Sequence, residues 1–251
     1  LAAAERRPWA RLYVDLQRRK MERFERALLA RLDRCLVCSE QEAELLAGWG
    51  IGHVTVVPNG VDTGYFRPAG TPPAAGERAG TGARLLFTGA MDYRPNEDGA
   101  QWFLDEVWPA LRERLPGVAW TIAGKNPSEA LRQKAEPQGV ELTGFVDDIR
   151  PWFERAEVFV VPLRIGGGTR LKILEAMAMG LPVVSSRVGA EGIEAREGEE
   201  IVLADTPAEM VQALAALAGD PARRAELGRR GRALVERRYD WSSVLEPVIG
   251  A

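Results

Sequence analysis

The sequence predicts an α/β protein: a doubly wound parallel sheet with helices on both faces, preceded by a smaller helix-and-strand unit. Three observations carry this. From Arg84 onward, short apolar runs alternate with helical segments. Those runs are apolar on both faces, as strands are in a parallel sheet covered on both sides. Ahead of them stands a shorter helix–strand–helix–strand set, set apart by a stretch rich in Gly, Pro and Ala. With 251 residues, 46% of them apolar, the chain is long enough for one sizeable domain and part of another.

Taken in order, residues 5 to about 34 read as one amphipathic helix. Leu12, Leu16, Phe24, Leu28 and Leu32 recur at multiples of four, among many arginines and interleaved acids such as Glu22 and Glu25. Two readings of it stand: a surface helix whose apolar stripe packs on its own domain, which is the plainer one, and a basic helix in peripheral contact with an anionic membrane through residues 5–34. Cys35 to Cys38 form a strand. Their CxxC spacing has no second pair or histidine cluster to make a metal or redox site, so both read as buried strand residues. Ser39 followed by Glu42 is a capping box opening a helix that runs to Gly48. A strand over Val54–Val57 ends at the turn Pro58-Asn59-Gly60-Val61-Asp62. Residues 69–82 read as a flexible linker, which divides 1–68 from a domain over 83–240, with a C-terminal helix over 241–251.

In that domain the expected strands are Leu85–Thr88, Ala119–Ala123, Val140–Thr143, Val158–Pro162, Pro182–Ser185 and Ile201–Leu203. Helices are expected near 96–114, 127–136, 148–156, 170–179, 207–218 and 221–238. Several function classes fall away. The net charge of −3 gives no basic field for nucleic acid. Neither G-x-G-x-x-G nor G-x-x-x-x-G-K-[ST] occurs, which argues against nicotinamide-dependent oxidoreductases and P-loop NTPases. His53 is the single histidine, and no DxD follows a strand, so no metal site is expected. No apolar run approaches the roughly 20 residues of a spanning helix. The chain opens in mid-helix pattern without a signal peptide and reads as a fragment of a longer protein.

Ligands of an open parallel sheet bind beyond the carboxyl ends of its strands, so the loops there are the candidates. They begin Gly89-Ala90-Met91-Asp92-Tyr93-Arg94, Gly124-Lys125-Asn126-Pro127, Gly144-Phe145-Val146-Asp147 and Leu163-Arg164-Ile165-Gly166-Gly167-Gly168-Thr169-Arg170. Such glycines suit a nucleoside diphosphate laid across the strand ends. The fourth loop runs into a helix, whose free amides and dipole attract phosphate. Arg170 and Lys172 in its first turn are unfavourable against that dipole unless an anion sits there. Glu175, in the apolar run Leu174 to Gly180, is costly to bury unless it finds hydrogen-bond donors. A ribose with two hydroxyls supplies them; a glutamate exposed on the helix edge is the plain alternative.

Here a pattern emerges. Pro58-Asn59-Gly60-Val61-Asp62 with Phe66 and Pro68 resembles the interdomain junction of family-four retaining glycosyltransferases. Leu174-Glu175-Ala176-Met177-Ala178-Met179-Gly180-Leu181-Pro182-Val183-Val184 resembles their donor-site helix and following strand. Phe87-Thr88-Gly89, Ile122-Ala123-Gly124, Gly144-Phe145-Val146, Val160-Val161-Pro162-Leu163 and Arg238-Tyr239-Asp240-Trp241 agree. The resemblance implies a GT-B fold, two Rossmann-like domains across a cleft. This chain would supply the nucleotide-sugar-binding domain and the end of the acceptor-binding one. Glu175 would bind the ribose. The amides of Thr169, Arg170 and Leu171, with Gly89, Gly168, Arg94 and Lys172, would face the diphosphate, and Gly144, Phe145 and Val146 the base. No metal and no cofactor are implied. The family's second glutamate falls at Gly167, and its basic pair after the first strand is reduced to Arg94. The implied reaction moves a sugar from a nucleoside diphosphate sugar to a saccharide or lipid-linked acceptor, in polysaccharide or glycolipid synthesis on the cytoplasmic side, at the inner face of a plasma membrane. The fragment itself is expected to be inactive. A nucleotide-binding module and a GT-B-fold sugar epimerase are the alternatives.

Overall fold

The computed structural model describes residues 8–68, 83–166 and 168–249. The expected linker over 69–82, residues 5–7 of the first helix, and Gly167 lie outside them. The chain forms two compact units, 1–58 and 59–251.

The first unit comprises α1 (Pro8–Leu29), β1 (Cys35–Val37), α2 (Glu40–Gly48) and β2 (Val54–Val56), with β1 and β2 paired in parallel. Ser39 caps α2 by accepting from the Glu42 amide at 3.3 Å. The Glu42 carboxylate returns one residue earlier than a strict capping box, accepting from the Cys38 amide at 2.8 Å. Three expectations are corrected here. α1 stops at Leu29, where Arg31 and Leu32 turn back in three-residue bonds and His53 Nε2 lies 3.1 Å from the Leu29 carbonyl oxygen. Cys35 is buried but Cys38, one residue past the strand, is exposed. The apolar stripe of α1 does not pack on its own unit: Leu12, Leu16, Phe24 and Leu28 are all exposed. The reason is size. The core there is Cys35, Leu46 and Ile51, with Leu29, Val37, Trp49 and Val54 around it, and two three-residue strands offer no face for a helix of 22 residues. No helix of the described residues is long and apolar enough to cross a membrane.

The second unit is built on a six-stranded sheet of order β5-β4-β3-β6-β7-β8, parallel throughout. Its strands are β3 (Arg84–Thr88), β4 (Ala119–Ala123), β5 (Glu141–Gly144), β6 (Val158–Val161), β7 (Val183–Ser185) and β8 (Val202–Leu203). The chain winds outward from β3 to β5, then returns to β6 beside β3 and winds the other way. The switch point therefore lies between β3 and β6, and the crevice above it is where ligands of such sheets bind. All four residues of β6 are buried, as a central strand covered on both faces requires.

The connecting helices are α3 (Arg94–Trp102), α4 (Trp108–Arg114), α5 (Glu129–Ala135), α6 (Arg150–Arg155), α7 (Leu171–Ala178), α8 (Pro207–Gly219), α9 (Pro221–Arg238) and α10 (Trp241–Ile249). A π-helical turn, Phe103–Val107, joins α3 to α4. It places Phe103 4.5 Å from the Trp120 ring of β4.

Where the sequence reading divides the domains at residue 68, the structure divides them at Pro58 and Asn59. Residues 59–68 belong to the second unit because Val61 is hydrogen-bonded into its C-terminal end. The Val61 amide donates to the Tyr239 carbonyl at 2.7 Å, and the Trp241 amide to Val61 at 3.3 Å. The Asp240 carboxylate accepts from the Thr63 amide and hydroxyl and from Ser242. Those donors hold its acidity at about 2.

Candidate functional site

The loops after β3, β4 and β5 meet at their glycines. Gly89 sits at φ +145° and Gly124 at φ +158°, and the Gly89 amide donates to the Ala123 carbonyl at 3.0 Å. A Cβ on Gly124 would lie 1.8 Å from the Gly89 carbonyl oxygen, so the two loops touch through bare backbone. Gly124 also bridges to Gly144, which brings the third loop alongside. There Phe145 stands 72% exposed.

The fourth loop leads into α7. Arg170 is its N-cap residue, and no side chain caps it. The amides of the first turn are therefore left to another acceptor. Thr169 packs against Gly192, where a Cβ would come within 2.9 Å of its hydroxyl. That hydroxyl is buried and has no hydrogen-bond partner among the described residues.

From this turn Lys172 reaches across the switch point. Its amine donates to the Thr88 carbonyl at 2.5 Å and to Asn96 Oδ1 at 2.7 Å, and lies 4.4 Å from the Phe87 ring centre. A Cβ on Gly89 would fall 2.7 Å from that amine, so only glycine leaves room for it. Burial pulls the Lys172 ammonium down to about 7, helped by Arg170 and opposed by Glu175. Glu175, one turn on, is half-buried. Burial raises its carboxyl above the ordinary range, against the pull of Lys172. Within the described residues its carboxylate accepts no hydrogen bond, so its lone pairs are left for a ligand.

The structure thus gathers Gly89, Thr169, Arg170, Lys172 and Glu175 about the strand ends, with Gly144, Phe145 and Val146 two strands away through the Gly124 bridge. Gly168 is exposed just ahead of the α7 cap, and Leu171 opens α7 at 45% exposure. Arg94 stands apart: it is exposed on the first turn of α3 and makes no hydrogen bond or ion pair within the described residues. Asn96 is the residue that sequence reasoning passed over. It looks there like a helix-starting asparagine, and nothing local reveals that it is 6% exposed and holds a lysine 76 positions away. No cluster of three or more His, Cys, Asp or Glu fit to hold a metal occurs among the described residues.

Comparison with known proteins also finds two parts, the first running past Asn59 into the second unit. The family described as Glycosyl transferases group 1 matches residues 82–220, and that described as Glycosyltransferase Family 4 matches residues 7–65. A glycogen synthase of Mycobacterium tuberculosis is 28% identical over 240 residues, covering 90% of this chain and 55% of the relative. A D-inositol 3-phosphate glycosyltransferase of Acidothermus cellulolyticus is 32% identical over 247 residues, covering 90% and 54%. Among solved structures, sucrose-phosphate synthase from Thermosynechococcus elongatus superposes with TM-score 0.72 at 24% identity, over 98% of this chain and 61% of that one. Anabaena HepE, solved with UDP and glucose, gives TM-score 0.73 at 17% identity, over 91% and 65%. The chain spans about half the length of the curated relatives it matches.

Proposed function

The chain belongs to the glycosyl transferases of group 1, with a GT-B-type α/β fold, and from that premise we propose that its second unit holds the donor of a retaining sugar transfer. The donor is a nucleoside diphosphate sugar, and the acceptor is a saccharide or a lipid-linked sugar. One observation carries this reading. A cation largely withdrawn from water, Lys172, sits beside a helix start that no side chain caps. Both features are unfavourable as they stand and both are relieved by a bound anion.

The parts then take distinct tasks. The amides of Thr169, Arg170 and Leu171 and the Lys172 ammonium receive the diphosphate, and they stabilise the charge that grows on it as the sugar–oxygen bond breaks. The buried Thr169 hydroxyl gains the partner it lacks. Glu175 accepts from the ribose hydroxyls. The exposed ring of Phe145 lies against the base. The glycine at 89 leaves room for the Lys172 amine at the strand end. Arg94, exposed and bonded to nothing nearby, is free to swing toward the ligand. The acceptor is held by parts of the protein outside this unit, so the chain by itself is expected to bind nucleotide without turning it over.

Calorimetric titration with UDP, GDP and ADP, without added metal, tests the reading. Saturable binding of one of them, weakened in Glu175→Ala, is the expected result. A folded chain that binds none overturns it.

A further inference from the structure

We propose that Asn96 is a positioning residue for the donor diphosphate, aiming the Lys172 ammonium at the Gly89 turn; this rests on the donor-site reading above. Asn96 is buried and bonded at both ends of its amide. Its Nδ2 donates to the Ala90 carbonyl at 2.9 Å, and its Oδ1 accepts from Lys172 at 2.7 Å. The orientation is fixed by chemistry: a carbonyl only accepts and an ammonium only donates. One side chain thus holds both the far end of a lysine on α7 and the turn that follows β3.

One donor of the ammonium stays unmatched. Of the three N–H groups of the ammonium, Thr88 and Asn96 take two. A Cβ on Gly89 would touch both the Asn96 amide, at 2.6 Å, and the Lys172 amine, at 2.7 Å. The third N–H has no hydrogen-bond acceptor among the described residues, and a phosphate oxygen brought to the strand end would take it. Lys172 brings a charge from α7 to the end of β3, and Asn96 is what keeps it there.

A neutral acceptor suits this task. An aspartate would also hold the amine, but it would cancel the charge meant for the ligand. The charged groups acting on Lys172 are Arg170 and Glu175. The contacts made to it by β3 and α3, from Thr88, Phe87 and Asn96, are neutral.

The experiment measures affinity for the nucleoside diphosphate and for the bare nucleoside across pH, in the unaltered chain, Asn96→Ala, Asn96→Asp, Lys172→Met and the Asn96→Ala/Lys172→Met pair. Affinity for the diphosphate falls as pH rises through the titration of Lys172. Asn96→Ala is expected to weaken diphosphate binding about tenfold, with the nucleoside little changed, and to move the midpoint to lower pH by removing an acceptor that favours the charged amine. Asn96→Asp moves it to higher pH. In the Lys172→Met background Asn96→Ala has no further effect. Midpoints that move together, or an Asn96→Ala loss that persists without Lys172, overturn the proposal, because a merely structural residue would give those results. If the unaltered chain binds no nucleoside diphosphate, the donor-site reading itself falls. Because Asn96→Asp is isosteric, the midpoint comparison stands even if Asn96→Ala folds poorly.

Discussion

The amine of Lys172, on the first turn of α7, donates to the main-chain oxygen of Thr88, the last residue of β3. The bond crosses the switch point of the sheet, 84 positions apart in sequence. It ties the first turn of α7 to the end of β3. A main-chain carbonyl as partner brings no counter-charge, and burial pulls the ammonium down to about 7.

That arrangement has a cost visible without ligand. Folded, Lys172 titrates near 7; unfolded, it returns to 10.5. Between those values the unfolded chain binds the extra proton, so stability rises with pH across this window and levels off at its lower value below about 7. Lys172→Met is expected to raise the melting temperature of the ligand-free chain at neutral pH, with a gain in stability on the order of a few kcal/mol. It should also flatten the rise between pH 7 and 10.5 while weakening diphosphate binding at least tenfold. Thermal melts at several pH values, read as the difference between the two chains, decide it. A variant less stable than its parent at pH 7 would show that the amine is bound more favourably than burial allows.

Glu175 works in the opposite sense. Its carboxyl is raised by burial, so its contribution to stability is full below the ordinary carboxylate range and is lost as pH rises through the raised value. Glu175→Gln removes that loss and is expected to melt higher at neutral pH. Glu175→Ala is expected to weaken binding of nucleoside and nucleoside diphosphate alike, by roughly tenfold to a hundredfold, since the groups lost face the ribose. An effect on the diphosphate alone would move Glu175 from the ribose to the phosphates.

Much of this was legible in the sequence, for reasons that differ between elements. β6 reads directly because Val158, Phe159, Val160 and Val161 are apolar whichever face they point to. α7 reads from its glycine loop and from a glutamate stranded in an apolar run. The α1 boundary did not, because Arg31 to Arg34 keep the helical pattern while the His53 contact to Leu29 and the short β1 strand turn the chain away. Nor did the fate of its stripe, since periodicity names the apolar face but not what lies against it. Asn96 was invisible because its role depends on the placing of α7 beside β3, a relation of the sheet rather than of neighbouring residues.

Phe145 separates binding from folding. At 72% exposure it adds little to the core, so Phe145→Ala should leave the melting temperature within about a degree or two, consistent with surface substitutions. If its ring stacks on the base, affinity falls by about 1–3 kcal/mol, and the preference among uracil, guanine and adenine nucleotides narrows. Titration with the three nucleotides checks it. Undiminished affinity would take the third loop out of the base site.

The last test concerns what holds α7 still. α9 crosses its C-terminal turn so closely that a Cβ on Gly228 would lie 2.0 Å from the Gly180 carbonyl oxygen. Arg232, one turn along α9, donates to the Ala178 carbonyl at the end of α7 and, at 3.4 Å, to Phe66. Gly228→Ala must therefore part the two helices, since the atom met is backbone and cannot rotate away. A stability loss of about 1–3 kcal/mol is expected, the usual scale of overpacking. Because the start of α7 moves with its end, nucleotide affinity should drop as well. Gly219 gives the contrast: a Cβ there meets nothing within 4 Å, and Gly219→Ala should be neutral or stabilising by up to about 1 kcal/mol. Melting and titration of the two variants side by side separate the effect of an added methyl group from that of the α7–α9 contact. Equal behaviour would mean that α9 is not what fixes the donor helix.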